Sequence, residues 1–238
     1  MRIHTVEQDL AAVSGLRIEN TLIELTEKEA PVMDGSAKDF VEALQSVKFV
    51  EQSEDRNVLE IRKPVVYSDP DKEIDIHVVP ADRFRVTFLV EYPLPALGTQ
   101  YEAIYNMEED FARDVAPART FCFLSEVEEL REQGLIKGGS LANAVVIVDK
   151  KIEDGEIDHL RDLFGIEEKV FQGANGILNG KVLRFHNEPV RHKTLDLIGD
   201  LALLGISIKG HVTAARSGHA SNVEFVKMIR KEYSDQLD

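Results

Sequence analysis

The segment RHKTLDLIGD, residues 191–200, places polar side chains at helical spacing within an apolar run. Its apolar residues recur every three to four positions, which predicts an amphipathic helix. His192 and Asp196 stand four residues apart, so both side chains leave the same face of that helix. Asp200 follows one turn later, and Lys193 adds a positive charge beside the pair. The segment therefore predicts a helix that carries either a solvated polar face or a chemical site.

An imidazole and a carboxylate together form a ligand set that suits a divalent metal such as Zn²⁺. A catalytic zinc site would need a third protein ligand and a position left for water. Asp200 could accept a hydrogen bond from His192 and fix its tautomer. The alternative is a solvated helix face with ordinary polar pairs, and spacing alone favours that alternative.

Composition limits the function classes that are open to the chain. Its 238 residues are 43% hydrophobic, enough for one large or two modest domains with a substantial core. The formal net charge of −15 disfavours binding to nucleic acid or to an anionic membrane surface. Cys122 is the only cysteine, which excludes an internal disulfide and fits a reducing compartment. Because no apolar run suits a signal peptide or a membrane span, we expect a cytoplasmic protein without membrane insertion.

The first fifty residues predict a short segment of mixed helix and strand. Thr5 and Gln8 have the spacing of a capping box, which predicts a helix that ends near Gly15. Residues 20–25 predict a strand and residues 40–47 a second helix.

A charged stretch at residues 51–56 marks the expected boundary between a first domain, residues 1–50, and a second domain, residues 51–238. The elements expected after it are strands at 58–67, 74–79, 84–92, 144–148 and 206–215, and helices at 110–115, from 125 to about 134, at 191–200 and from about 222. Hairpins that look antiparallel, mixed with helices, predict an α+β fold with two α+β domains.

Several short motifs, each weak alone, occur in a fixed order along the chain. They are Thr5-Val6-Glu7, Met33-Asp34-Gly35-Ser36, Ala118-Arg119-Thr120-Phe121, Gly138-Gly139-Ser140, His192-Lys193-x-x-Asp196-x-x-Gly199-Asp200 and Ser217-Gly218-His219. In this order they resemble the UDP-3-O-acyl-N-acetylglucosamine deacetylases, the zinc amidases of lipid A biosynthesis, over nearly the whole chain. The resemblance favours a site over a solvated helix face.

The resemblance implies two α+β domains with the active site in the cleft between them. It implies that the first domain is incomplete here, because such proteins carry a further segment ahead of the Thr-Val-Glu motif. It also implies an inserted unit, here residues 121–148, that forms the passage for the acyl chain. The apolar residues that could line this passage, or equally belong to the core, are Leu124, Leu130, Leu135, Ile136 and Val145.

The resemblance further implies that zinc is held by two histidines and one aspartate. His192 and Asp196 match two of these ligands, whereas the position of the other histidine holds Gln8. A neutral amide oxygen is a poorer zinc ligand than an imidazole nitrogen, so we expect lower metal affinity. Gln8 could bind the metal weakly, His4 could replace it, or Gln8 could serve only the capping box of its helix.

The family's catalytic roles fall on four further residues of this chain. Glu7 would take a proton from the attacking water, and His219 would protonate the departing amine. Thr120 and protonated His219 would also stabilise the oxyanion, while Asp200 would orient His219 and favour its charged form.

Substrate recognition would fall on charged and apolar residues near these positions. Lys193 matches the family's contact to the substrate, and Lys209 and Arg216 are further candidates for the diphosphate by position only. Phe121, next to Thr120, is the candidate contact to the acyl chain.

Three hypotheses from different classes follow. The leading one is a zinc-dependent hydrolase that removes the N-acetyl group of an acylated UDP-sugar, with activity impaired by Gln8 and by the missing N-terminal segment. The second is a non-catalytic protein that retains the acyl groove and the nucleotide contacts. The third is an unrelated protein with chance motifs, in which His192, Asp196 and His219 lie far apart.

Overall fold

The structure is a computed structural model that describes residues 3–94, 97–127, 141–152, 155, 157–164 and 170–237. Its helices are α1 Glu7–Gly15, α2 Lys38–Gln45, α3 Met107–Asp110, α4 Ile157–Phe164, α5 Glu188–Ala202 and α6 His219–Glu232. Its strands are β1 Val58–Glu60, β2 Val65–Asp69, β3 Ile74–Val79, β4 Arg85–Glu91, β5 Thr99–Ile104, β6 Phe121–Phe123, β7 Val145–Ile147, β8 Ser207–Lys209 and β9 His211–Ala215. A π-helical turn, Phe111–Val115, extends α3. Helices and mixed sheets confirm the expected α+β fold.

A five-stranded sheet in the order β2-β3-β9-β4-β5 forms the scaffold. Its neighbours are antiparallel except for β4 and β9, which are parallel. Burial alternates along β4, and its buried residues Val86 and Phe88 lie beside Val212 and Ala214 of β9. Helices α5 and α6 pack against this sheet. The helix that carries His192 is therefore held on a rigid surface.

Helix α1 packs closely against α5, and Gly199 makes the close approach possible. A Cβ atom at Gly199 would lie 2.1 Å from the backbone oxygen of Glu7. Ala11 and Ala12 of α1 are fully buried, and small side chains let two helices come near. This contact brings the Thr-Val-Glu motif to the middle of α5.

The main hydrophobic core contains residues from both sides of the expected boundary near residue 51. Ala12 and Val41 share it with Phe88 and Ile198. The division into domains and the acyl-passage unit remain predictions. Of the candidate lining residues, Leu124 and Val145 are buried in two smaller clusters, whereas Leu130, Leu135 and Ile136 lie outside the described residues.

Two local expectations in the first fifty residues were wrong. The Thr5 hydroxyl donates to Glu29 Oε1 at 2.7 Å, and α1 begins without a side-chain cap, so Thr5 and Gln8 form no capping box. Residues 20–25 belong to no strand and are largely exposed. An apolar stretch becomes a strand only where another strand shares its backbone hydrogen bonds, and no described strand pairs with this one.

Two boundaries near the end of the chain also differ from expectation. The expected strand at 206–215 is divided at Gly210, because β8 pairs with β1 while β9 joins the large sheet. Helix α6 begins at His219 rather than near residue 222, and the Ser221 hydroxyl accepts a hydrogen bond from Gly218 N at 3.0 Å. None of the helices that the structure describes combines the length and apolar composition that a membrane span requires.

Candidate active site

His192 and Asp196 share one face of α5, as their spacing predicts. His192 Nε2 lies 3.3 Å from Asp196 Oδ1. His192 is 4% exposed and Asp196 3% exposed, so this face is buried. The alternative of a solvated helix face was therefore wrong.

The tautomer of His192 is set by a backbone carbonyl. His192 Nδ1 lies 3.0 Å from the oxygen of Ala118, which can only accept a hydrogen bond. Nδ1 therefore donates a hydrogen bond to this oxygen, and Nε2 faces Asp196. Asp200 does not orient His192, contrary to the suggestion from spacing, because its carboxylate contacts His219.

Asp196 is a buried carboxylate whose two oxygens have different environments. Its Oδ2 accepts a hydrogen bond from Lys193 Nζ at 2.8 Å, whereas Oδ1 is buried and has no hydrogen-bond partner in the described part of the chain. Burial alone would raise the pKa of Asp196, but the charges of Lys193, His192 and His219 lower it to about 2. The carboxylate is therefore ionised, and its Oδ1 faces His192 Nε2.

His219 approaches this pair from the start of α6. Its Nδ1 lies 2.9 Å from Asp200 Oδ2, and its Nε2 lies 4.0 Å from Asp196 Oδ2. The hydrogen bond to Asp200 raises the pKa of His219 to about 9, against burial, which lowers it. His219 is therefore protonated at neutral pH. Asn222 Nδ2 also donates to Asp200 Oδ2, at 2.8 Å.

Glu7 faces the same site from α1. Burial raises the pKa of Glu7, and the negative charge of Asp196 raises it further, while His219 and His192 lower it. Helix α5 packs against both α1 and α6, so the three helices bring Glu7, Asp196 and His219 to one site. The hypothesis of an unrelated protein in which these residues lie far apart was therefore wrong.

Gln8 is buried next to Glu7, with 5% of its surface exposed. Its Nε2 donates to the backbone oxygen of Gly35 at 3.4 Å. Among the described residues, no donor is hydrogen-bonded to Gln8 Oε1. His4 is exposed, and its backbone N donates to Lys28 O at 2.9 Å, so it lies on the surface rather than in place of Gln8.

The residues that are present fit a zinc ion incompletely. Zn²⁺ binds nitrogen and oxygen at about 2.0–2.2 Å with tetrahedral angles, which separates neighbouring ligand atoms by about 3.4 Å. His192 Nε2 and the unpartnered Asp196 Oδ1 show nearly this separation. No group of three His, Cys, Asp or Glu side chains in the described part of the chain is placed to hold a metal. Gln8 offers only a neutral amide oxygen.

Thr120 and Phe121 lie beside the site through backbone contacts. Thr120 N donates to the oxygen of Gly35 at 2.7 Å, the same oxygen that Gln8 contacts. Phe121 packs edge-on against Tyr92, with ring centroids 6.3 Å apart. Both residues are partly exposed.

Of the cations that the sequence suggested, only Lys193 contacts the site. Lys209 Nζ pairs with Glu60 at 2.9 Å, and Arg216 pairs with Glu91 at 3.0 Å. Neither of these exposed ion pairs includes a residue of α5.

Sequence reasoning missed three residues of the site: Ala118, Asn222 and Tyr92. Ala118 acts through its backbone oxygen, which leaves no side-chain signal. Asn222 stands three residues after His219, so helical spacing could have indicated it. Tyr92 packs on Phe121 but is far from the other motifs in sequence.

Comparisons with known proteins show the family of this chain. The family model for LpxC, UDP-3-O-acyl N-acetylglycosamine deacetylase, matches residues 1–162 and 165–231. The chain is 49% identical over 237 residues to the bifunctional enzyme LpxC/FabZ of Chlorobaculum tepidum, covering 99% of this chain and 50% of the relative.

Single-function relatives are also similar. The UDP-3-O-acyl-N-acetylglucosamine deacetylase of Syntrophotalea carbinolica is 40% identical over 96% of this chain, and that of Myxococcus xanthus is 38% identical over 99%. The chain spans 65% of each of these two and about half the length of the bifunctional relatives. This chain belongs to the UDP-3-O-acyl-N-acetylglucosamine deacetylase family.

Proposed function

We propose that this chain carries the site of a zinc-dependent amidase that removes the N-acetyl group of UDP-3-O-acyl-N-acetylglucosamine in lipid A biosynthesis. The observation that carries the proposal is the unpartnered Asp196 Oδ1 at 3.3 Å from His192 Nε2. The relatives are UDP-3-O-acyl-N-acetylglucosamine deacetylases, and their substrate is the one proposed here. Gln8 lowers the affinity for zinc and with it the activity.

His192 and Asp196 would hold the metal, with Gln8 as a weak third ligand. When bound, zinc lowers the pKa of a water molecule and polarises the amide carbonyl. Lys193 keeps Asp196 ionised and its Oδ2 engaged, so Oδ1 remains free for the metal.

Glu7 is the general base of the proposed reaction. The pKa of Glu7 is raised toward neutral pH. A general base with such a pKa can accept a proton and later release it. It takes one proton from the water that attacks the acetyl carbonyl. The oxyanion that forms accepts a hydrogen bond from the Thr120 hydroxyl.

His219 is the general acid. Its Nδ1 proton is held by Asp200, so its Nε2 proton is the one available to the substrate. That proton passes to the amine as the carbon–nitrogen bond breaks, which leaves acetate and the free amino sugar. Because the pKa of His219 is about 9, the acid form is present at neutral pH.

Lys193 and Phe121 would bind the two ends of the substrate. Lys193 contacts Asp196 and would meet the diphosphate by giving up part of that contact. Phe121, packed beside Tyr92, offers an apolar ring to the acyl chain.

The test is acetate release from the acylated UDP-sugar at increasing zinc concentration. We expect the Gln8→His variant to release acetate at lower zinc than the natural chain. Adding Asp196→Ala to Gln8→His should abolish release at every zinc concentration. No acetate from the zinc-loaded Gln8→His variant would contradict the proposed reaction.

Gln8 also favours a second candidate, a non-catalytic protein that binds the acylated UDP-sugar. The same assay separates the two functions when substrate binding is measured beside turnover. Binding by the natural chain, with acetate release only after Gln8→His, would identify the natural chain as a binding protein.

A further inference from the structure

Asn222 lies one turn after His219 on α6 and is 1% exposed. Its Nδ2 donates to Asp200 Oδ2 at 2.8 Å, the oxygen that also lies 2.9 Å from His219 Nδ1. A single carboxylate oxygen thus serves both an amide and an imidazole.

The Asn222 amide restrains the Asp200 carboxylate, which could otherwise rotate about its last side-chain torsion. The last torsion of an aspartate side chain has a broad, roughly two-fold preference, so the chain alone does not fix the carboxylate plane. His219 lies 3.2 Å from Asp200 Oδ1 and 2.9 Å from Oδ2, and so could follow either oxygen. The donor on Asn222 selects Oδ2.

A purely structural role accounts poorly for the amide. Capping of α6 is performed by Ser221, whose hydroxyl bonds to both the N and the O of Gly218. Among the residues that the structure describes, Asn222 Oδ1 is buried without a hydrogen-bond partner, which has a cost in stability. Leucine would fill similar space without this cost, so the amide contributes through its donor.

We propose that Asn222 is a positioning residue that locks the Asp200 carboxylate and thereby holds His219 with Nε2 turned toward the reacting amide. This role rests on the proposed function, because the direction of Nε2 matters only if His219 transfers a proton.

The test uses the full chain without metal and observes the His219 Nδ1–H resonance by nitrogen-edited NMR. In the natural chain the hydrogen bond to Asp200 should make this signal visible. We expect Asn222→Leu to broaden or remove the His219 Nδ1–H signal. If leucine disturbs the packing, Asn222→Ala is the second variant, and it should have the same effect on the signal.

Ser221→Ala is the matched control, because it weakens the same helix terminus without touching Asp200. It should lower stability and leave the His219 signal in place. An unchanged signal in both Asn222 variants, or an equal loss in Ser221→Ala, would overturn the positioning role.

Turnover gives an independent measurement in the zinc-loaded Gln8→His background. Because general acid catalysis supplies about 10²–10⁴-fold, partial loss of orientation should lower kcat about tenfold and leave KM unchanged. If no variant shows turnover but the NMR result is as expected, the proposed function is rejected, while the effect of Asn222 on His219 still stands. Unchanged kcat in the Asn222 variants would reject the positioning role alone.

Discussion

Asp196 keeps its charge in a place that solvent hardly reaches, and Lys193 is the residue that compensates it. We expect Lys193→Met to lower the free energy of unfolding by about 3 kcal/mol, because it leaves a buried carboxylate without its cation. Urea denaturation of the metal-free protein measures this loss.

The control for that substitution is Lys227→Met. Lys227 forms an exposed ion pair with Glu224 at the same residue spacing, and such pairs contribute little. Its removal should change stability by less than about 0.5 kcal/mol. Equal effects of the two substitutions would contradict the account of Lys193.

His219 should make stability depend on pH in a defined window. Its pKa is about 9 in the folded protein and has an ordinary value of 6.5, so the folded state binds the proton more tightly. The stability it contributes is complete below pH 6.5 and is lost as the pH rises through about 9.

Comparison of the natural chain with His219→Gln isolates this contribution. The difference in unfolding free energy, measured without metal, should be largest below pH 6.5 and should vanish above about pH 9. A difference that stays constant across the window would show that Asp200 does not stabilise the protonated imidazole.

At the residue scale, the sequence predicted contacts that depend on local spacing. His192 and Asp196 meet because four residues of helix bring them together. The contact of His192 with Ala118 spans 74 residues and uses a backbone oxygen, so no pattern of side chains could reveal it.

At the element scale, the contact between α1 and α5 depends on Gly199. We expect Gly199→Ala to lower the unfolding free energy by about 3 kcal/mol, because the added carbon would meet the backbone of Glu7 and helix backbones yield little. Thermal or urea denaturation measures the effect.

Gly218→Ala provides the comparison, since a Cβ there would meet no atom within 4 Å. This variant should stay within about 0.5 kcal/mol of the natural chain. Equal stability of the two glycine variants would argue against close packing of α1 on α5.

Helices were easier to predict than strands for a physical reason. The hydrogen bonds of α2 and α5 lie within each segment, so apolar periodicity sufficed to locate them. The stretch at 20–25 has strand-like composition, yet a strand also needs a partner that local sequence does not specify.

At the scale of the whole molecule, exposed large apolar side chains are frequent in the first fifty residues. Leu22 is 82% exposed and Val50 84% exposed, and the others in this segment are Ile3, Ile23, Met33, Val47 and Phe49. Such apolar surface on one part of a protein favours association.

We expect the double variant Leu22→Lys with Val50→Lys to bind less of an apolar fluorescent dye and to associate less at high concentration. Its stability should hardly change, because neither side chain is buried. Undiminished dye binding would show that the dye binds elsewhere and that this segment is not the main apolar surface in solution.

The site as a whole could not be derived from local pattern alone. Glu7, His192 and His219 come from three helices separated by long stretches of sequence, and only the fold brings them together. Resemblance to the deacetylases supplied that long-range information in advance, and the five-stranded sheet under α5 and α6 supplies it physically.

We propose that His192 and Asp196 hold a divalent metal opposite Glu7, with Gln8 in the weak position. Zinc affinity, measured by competition with a chelator, tests it most directly. We predict that the Gln8→His variant binds one zinc per chain and that adding Asp196→Ala abolishes binding. The gain in zinc affinity from Gln8→His should exceed the roughly tenfold effect of changing a residue that only orients a metal ligand. Zinc affinity that is unaffected by either substitution would contradict the account.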